Sequence, residues 1–557
     1  MGNGSRVRLC ALFVVVSWAA VQSTPAAPVI SPLAPGRNAV LTVYPTGIHP
    51  ADVQNVQAAV DTVDPGGTVI LKPTDAAGNP LTFNFGGTAV GNGGVVRLLR
   101  PGITVTGDGW DEALDEPMTK IVGGGGRHEA SPTLVAQATV FAVQAPGVTI
   151  RQIKMNATFA FSGVFITSAL QPASGEPVLV EQNSISVLNY AVIAVYAAAF
   201  PVTIRDNVLK GLLPVSAQWA GLTLAPISTF PFDEPVPPTD EQGSTIRFPL
   251  VIANNVITKT PNPMSALTAT VLLWGWGNAY SQSPDPDVGA RRLRATASSP
   301  WVYQHFPGDN GPVAFIGNHI VADLPGDFHI MVGLGAMAQG LNHALIKGNT
   351  ISGVADIVIE RFPYGHDIRI EDNDLSGAQA YLPVSISGPD TAVANNVFGL
   401  VLPLPPESAT PDGIPQPAVA LLSKHWAPGV APVPHAVENC VIARNDYRRT
   451  GLRAGSLLVA SQEELQWPFY PTGPGTGTEV KNNVIFESGG FLAGTGGARN
   501  QILLLAGLLN PATGLPYVHD NRVVGLPATE LSHPGIGAIV SQLSPVRKML
   551  DWGVSDW

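Results

Sequence analysis

The residues able to do chemistry in this 557-residue chain stand at the ends of apolar runs. DIVIER closes in Glu360 and Arg361, and Tyr364-Gly365-His366-Asp367 follows at once. Lys424 and His425 follow the run AVALLS, and Glu463 and Glu464 follow SLLVAS. A carboxylate held on the order of 10 Å from a histidine or lysine makes an acid/base pair that can act across a sugar ring. Glu360, His366, Asp367, Lys424 and His425 are therefore the catalytic candidates, against the plainer reading of a solvated rim of unrelated charges. Trp274, Trp276, Tyr280, Trp301, Tyr303, Trp426, Trp467 and Tyr470 crowd into the same stretches. Aromatic rings offer an apolar face with a polar edge, which suits the face of a sugar. Trp274, Trp276, Trp301, Tyr303, Trp426 and Trp467, with Arg361, are the binding candidates; the alternative is that the Trp residues fasten long loops to the scaffold.

The elements that must position these residues are repeats. ALIKGNTISG, HDIRIEDNDLSG and TAVANNVFG state one phrase three times, marked by Asn349, Asn373 and Asn396. The phrase recurs at Asn183, Asn207, Asn255, Asn318, Asn483 and Asn521, with Cys440 in the equivalent place of HAVENCVI. Every anchor has an apolar residue three before it and another two after it, as Ile346 and Ile351 flank Asn349. With 45% apolar residues in the chain, agreement at every anchor is not chance. A period of this size means stacked supersecondary units, here two short strands joined by a bend at the Asn. Identical positions in successive coils then lie roughly 4.8 Å apart, the strand spacing. Asn suits the bend because it tolerates the left-handed conformation, and its amide can bond to the Asn above and below. The expected fold class is all-β, a single parallel coil of roughly a dozen rungs.

An apolar strand precedes nearly every phrase: GVFIT, AVIAVY, GLTLAP, TVLLWG, HIMVGL, DIVIER, PVSIS. The connection from that strand to the phrase varies greatly, running long through 227–247, 277–311, 424–434 and 461–477, whereas the connection after the Asn reads as more uniform. Stacking would put the long connections on one side. The first two make one wall of a groove and the last two the other, with 361–367 and 387–391 as floor.

Residues 1–27 read as a secretory signal: Arg6 and Arg8, the apolar run Leu9 to Ala20, then small residues. Its removal leaves Cys440 as the only cysteine, so no intrachain disulfide is expected. The apolar stretch Tyr190 to Val202 lies in the repeat register and reads as core strand, so no membrane span is expected. The chain carries 41 acidic and 30 basic residues with no basic run, which argues against nucleic acid as a partner. A Gly count of 59 and a Pro count of 51, under a clean apolar period, fit a turn-rich solenoid rather than disorder. Residues 28–50 are a lead-in and 51–540 the coil. ADVQNVQAAVDTV puts Val53, Val56, Val60 and Val63 on one helical face, with Asp52 at the positive end. Such a helix would cap the open end of the coil. Residues 541–557 would be an exit cap or tail.

VQAAVDTVDPGGTVILKP, GITVTGDG and the V-x-I-x-x-N-x-I phrases resemble the right-handed parallel β-helix, or pectin-lyase-like, family over about residues 40 to 540. The resemblance implies a right-handed coil with an N-terminal capping helix. It also implies a secreted or periplasmic, extracellular location, since the family's secreted members include polysaccharide lyases, glycoside hydrolases, uronan epimerases and uncharacterised repeat proteins. It does not choose among activities. Polygalacturonase-type hydrolases carry paired Asp and Gly-His-Gly; here Gly365-His366 runs into Asp367. Pectate-lyase-type sites hold calcium on several carboxylates; the nearest pair here, Asp285 and Asp287 beside Arg291 and Arg292, reads equally as a turn. No cofactor is expected, calcium being the one alternative. Two functions stay open: an enzyme acting on a polysaccharide in the groove, by lyase, hydrolase or epimerase chemistry, and a non-catalytic glycan-binding or structural β-helix. The partner in either case is a glycan and the chain a monomer.

Overall fold

The structure is a computed structural model. It describes residues 31–32, 39–87, 92–127, 138–157, 160–167, 176–187, 191–196, 200–211, 227–228, 249–259, 271–272, 312–322, 334–335, 344–360, 368–386 and 391–398. Beyond these it describes the strand segments 419–423, 436–438, 441–442, 457–461, 479–481, 484–486, 502–504, 517–519 and 522–524.

The chain folds as a right-handed parallel β-helix. Each coil runs through a lead strand, a pre-Asn strand, the Asn, and a post-Asn strand. The pre-Asn strands form one 15-stranded sheet whose order follows the sequence. Every pairing in it is parallel except Ser31–Pro32 on Val40–Val43 at its edge. Stacking thus starts at Val40, inside the stretch read as lead-in. Lead and post-Asn strands join in a 24-stranded sheet, because Thr350–Glu360 and Asp374–Ile386 each run through both without a break.

The register equates the residues that the phrase equates. Ile204 faces Val180 and Ile252, Phe315 faces Ile346, and Ile370 faces Val393, all of them buried. Post-Asn partners Leu209, Ile257, Ile320 and Ile351 stack in the same way. Pre-Asn strands alternate buried and half-exposed positions, as in Ala344–Lys347 and Ile368–Glu371, the mark of a sheet with one wet face.

Asn183, Asn207, Asn255, Asn318, Asn349, Asn373 and Asn396 are buried in one line. Each of the last six accepts at Oδ1 from the backbone N–H and the side-chain amide of the Asn one coil earlier, as Asn373 does from Asn349 at 3.0 and 2.9 Å. Each amide also donates to the carbonyl three residues before the preceding anchor, Asn318 to Ile252 at 2.8 Å. At the start of the line Ile153 replaces Asn, and its N–H donates to Asn183 at 3.1 Å. Cys440, Asn483 and Asn521 lie outside the described residues.

The left-handed bend is not at the ladder residue. It falls one residue earlier, on Gln182, Asp206, Asn254, Gly317, Gly348, Asp372 and Asn395, with φ between 54° and 64°. The ladder Asn must send its amide into the core to reach two coils, so its exposed neighbour turns the corner.

The helix Ala51–Thr62 packs against the first coil, with Val56, Val60 and Val63 in the continuous core and Val53 at its edge. Its Gln57 donates to the Arg97 carbonyl at 3.1 Å and accepts from the Arg97 N–H at 2.8 Å, so one side chain pairs both backbone groups of an edge residue. Asp52, read as a charge at the positive end of the helix, lies in its first turn and is wholly buried. It accepts from Thr46 N and Oγ1, Gly47 N and Asn84 N at 2.6 to 3.1 Å, tying the loop, the helix and the first coil together. No helix among the described residues is long and apolar enough to cross a membrane. The 541–557 stretch lies outside them.

Candidate functional site

The lead strands carry the candidate site. Their register equates Val164, Ile193, Ile227, Val271, Leu334, Ile359, Val384 and Val419, an unbroken apolar column. The column one residue further on holds Ala194, Ser228, Leu272, Gly335, Glu360, Ser385 and Ala420. Glu360 is the only carboxylate in it, set between a glycine and a serine. Its neighbour in the strand, Ile359, is fully buried. Gly335 and Ser385 are the residues in register with Glu360, one coil to either side.

The remaining predicted site residues follow from these strands into stretches outside the described residues. Arg361, His366 and Asp367 lie between Thr350–Glu360 and Ile368–Glu371. Trp274, Trp276, Trp301 and Tyr303 lie between Val271–Leu272 and Val313–Ile316, as do Asp285 and Asp287. Lys424, His425 and Trp426 follow Val419–Ser423, and Trp467 follows Leu457–Ser461. The flanking strands are in register on both sides, so each of these connections leaves a lead strand and enters a pre-Asn strand at the same corner. Register carries Glu360 to Ser385 and then to Ala420, in the strand that Lys424 follows in sequence.

The second corner departs from expectation. Connections from post-Asn to lead strands are absent within Thr350–Glu360 and Asp374–Ile386, yet span 212–226, 260–270, 323–333, 399–418, 443–456 and 487–501 elsewhere. The stacked residues after the apolar run GLTLAP are Ile227–Ser228, paired with Ile193–Ala194, and the run itself lies outside the described residues. Long connections therefore arise at both ends of the lead strands, and the lead-strand face lies between them.

Charge on the described surface is spent elsewhere, beside the Asn corner. Glu181 takes Arg205 at 2.7 Å and Arg151 at 3.9 Å, and Lys347 bridges Glu371 at 3.4 Å and Asp372 at 3.1 Å. The hydrogen bond and charge of Glu181 raise Arg205 above its usual pKa. Asp372 is held below the usual carboxylate range by the Asn395 amide first and by Lys347 second. These pairs join opposite charges one coil apart; Glu181 is buried, but the side chains of the cations and of Asp372 are exposed, so the pairs fix register more than they stabilise. Among the described residues no group of three His, Cys, Asp or Glu is placed to hold a metal ion.

No family model matches the chain. No curated protein matches it. Among solved structures it is similar to a PL6-family polysaccharide lyase from Pseudopedobacter saltans, at 9% identity, covering 90% of this chain and 99% of that one, with a TM-score of 0.38. It is similar to a surface adhesin of Streptococcus pneumoniae at 13% identity, over 86% and 88% of the two chains, with a TM-score of 0.35. It is similar also to the A-module of a mannuronan C-5 epimerase from Azotobacter vinelandii at 12% identity, over 86% and 97%, with a TM-score of 0.32. At such identities and scores the likeness adds nothing to the fold that the strand pairing gives.

Proposed function

We propose that this chain is a secreted β-helix protein that binds and processes a polysaccharide on the lead-strand face around Glu360. The observation that supports it is the solitary carboxylate between Gly335 and Ser385, at the end of the strand whose corner leads into Arg361, His366 and Asp367. On this reading Glu360 is the general acid or base. His366, Asp367, Lys424 and His425 supply its complementary partner, and Arg361 binds substrate. Trp274, Trp276, Trp301, Tyr303, Trp426 and Trp467 stack on sugar faces. The chain's formal charge of −11 favours a neutral or modestly charged glycan over a strongly anionic one.

The test is a polysaccharide panel read for new reducing ends, for the absorbance of unsaturated products and for binding. Glu360→Gln is expected to cut turnover about 10²–10⁴-fold, the contribution of one acid/base group, while binding persists. A second reading, of a glycan binder without catalysis, draws on the absence of an Asp pair before Gly365-His366-Asp367. It gives no turnover on any polysaccharide, with affinity lost on Trp301→Ala or Trp426→Ala and kept in Glu360→Gln.

A further inference from the structure

The lead-strand face is not the same along its length. In Ser162–Thr167 every residue is buried, and so is every residue of Ala138–Val143. Val164 and Ile166 belong to the continuous interior core, so Phe165 between them faces out of the coil. It is nevertheless only 5% exposed. Its column neighbours one coil to either side are Ala142 and Ala194, too small to hide a phenyl ring. Ala142, Thr167 and Ala194 on the same face are themselves 0 to 2% exposed. The face is therefore closed over the coils from Ala142 to Ala194, and nothing lying on it can touch a ligand there.

The same column continues from Ala194 through Ser228, Leu272 and Gly335 to Glu360. That is roughly 19 Å at the strand spacing. The lead strands stack coil upon coil, so the long direction of this face is the coil axis and a chain-like ligand lies along it. It meets the closed coils after a few sugar units.

We infer that the face is blind toward the N-terminal coils, and that the protein engages a polysaccharide by one of its ends rather than along its middle. This rests on the reading that Glu360 marks the glycan-binding face, and it specifies the form of substrate that face accepts.

The experiment measures, with the full chain and the glycan that the panel identifies, how many protein molecules bind each chain as chain length is varied by partial hydrolysis. End engagement gives a fixed number per chain whatever its length, so capacity per unit mass rises in direct proportion to the number of ends. Fragments with a reduced reducing end show which end enters. The variant Ser385→Trp, one coil from Glu360, fills the face and is expected to abolish binding. A number of bound molecules that grows with chain length, still abolished by Ser385→Trp, overturns the blind end and leaves the proposed function standing. Binding that survives Ser385→Trp, or no binding at all, removes the site at Glu360 and the inference with it.

Discussion

The pre-Asn and lead strands wrap the same core, yet one set has a wet face and the other, over several coils, has none. Ala344–Lys347 and Ile368–Glu371 alternate buried and half-exposed residues, whereas Ser162–Thr167 is buried throughout. The outward positions of the first set carry paired charges at the Asn corner; those of the second carry Phe165 and Ala194, in a column that register continues to Ser228 and Glu360. A wet face shows its orientation in the residue pattern, and a doubly covered one does not. The difference also separates roles: the side with regular charges holds register, and the side with variable connections is free to hold a site.

The largest effect tests the half of the comparison common to both sets, an apolar interior. Ile370→Asp places a carboxylate at a position with no exposure and is expected to cost several kcal/mol. Thermal unfolding checks it; an unchanged midpoint would falsify the inward assignment.

Next comes the contrast itself. Phe165→Ala and Leu345→Ala both truncate a side chain on the outer side of a strand. If the lead-strand face is closed at Phe165, its truncation costs about 3–5 kcal/mol, as for a core residue. Leu345 on the half-exposed face is expected to cost about 1 kcal/mol or less. Equal losses in denaturant melts would erase the distinction between the two faces.

A smaller loss is expected at the corner. Asn318→Ala removes the acceptor of the Asn255 N–H and amide and the donor to the Ile252 carbonyl. Unpaired buried groups of this kind cost about 1–3 kcal/mol. Hydrogen exchange sharpens the assignment: protection should fall first at Asn255 and Val256, within one coil of the lesion.

The smallest effect belongs to the wet face. The folded pKa of Asp372 is depressed, so its contribution is present above the unfolded carboxylate value and fades as pH falls through the folded one. Lys347 is raised by its hydrogen bond and charge interaction with Asp372 and then Glu371, so its contribution is complete below the unfolded lysine value and is lost as pH rises through the folded one. Asp372→Asn should therefore melt slightly below the parent at neutral pH and converge with it in acid. A difference that persists in acid would show that the charge is not its source.

How much the sequence shows follows from the same contrast. The flanking apolar residues and the ladder from Asn183 to Asn396 are readable because identity repeats where geometry repeats. The bend residues vary from Gln182 to Gly348 to Asn395, since an exposed left-handed position constrains φ and little else. Asp52 reads as a helix-end charge because its donors come from Thr46, Gly47 and the distant Asn84, and only the folded chain brings Asn84 near. At the site, alternation in DIVIER marks Glu360. Its neighbours Gly335 and Ser385 emerge only from register between coils, which no local pattern supplies. Phe165 likewise sits in GVFIT like any core residue, and its seclusion depends on what the rest of the chain lays over it.

The Asn ladder carries one further consequence, for how such a chain changes over generations. Every described Asn of the ladder offers the coil below the same acceptor and draws on the same carbonyl there, whether the coils are joined directly or, as between Asn255 and Asn318, across a long excursion. A whole turn duplicated or lost in the gene would leave its new neighbours with partners identical to the old ones. Half a turn would leave an amide facing a mismatched strand. Copy number of turns is thus the coordinate along which this molecule can lengthen or shorten while keeping its neighbours intact, and the site's position along the axis can shift with it.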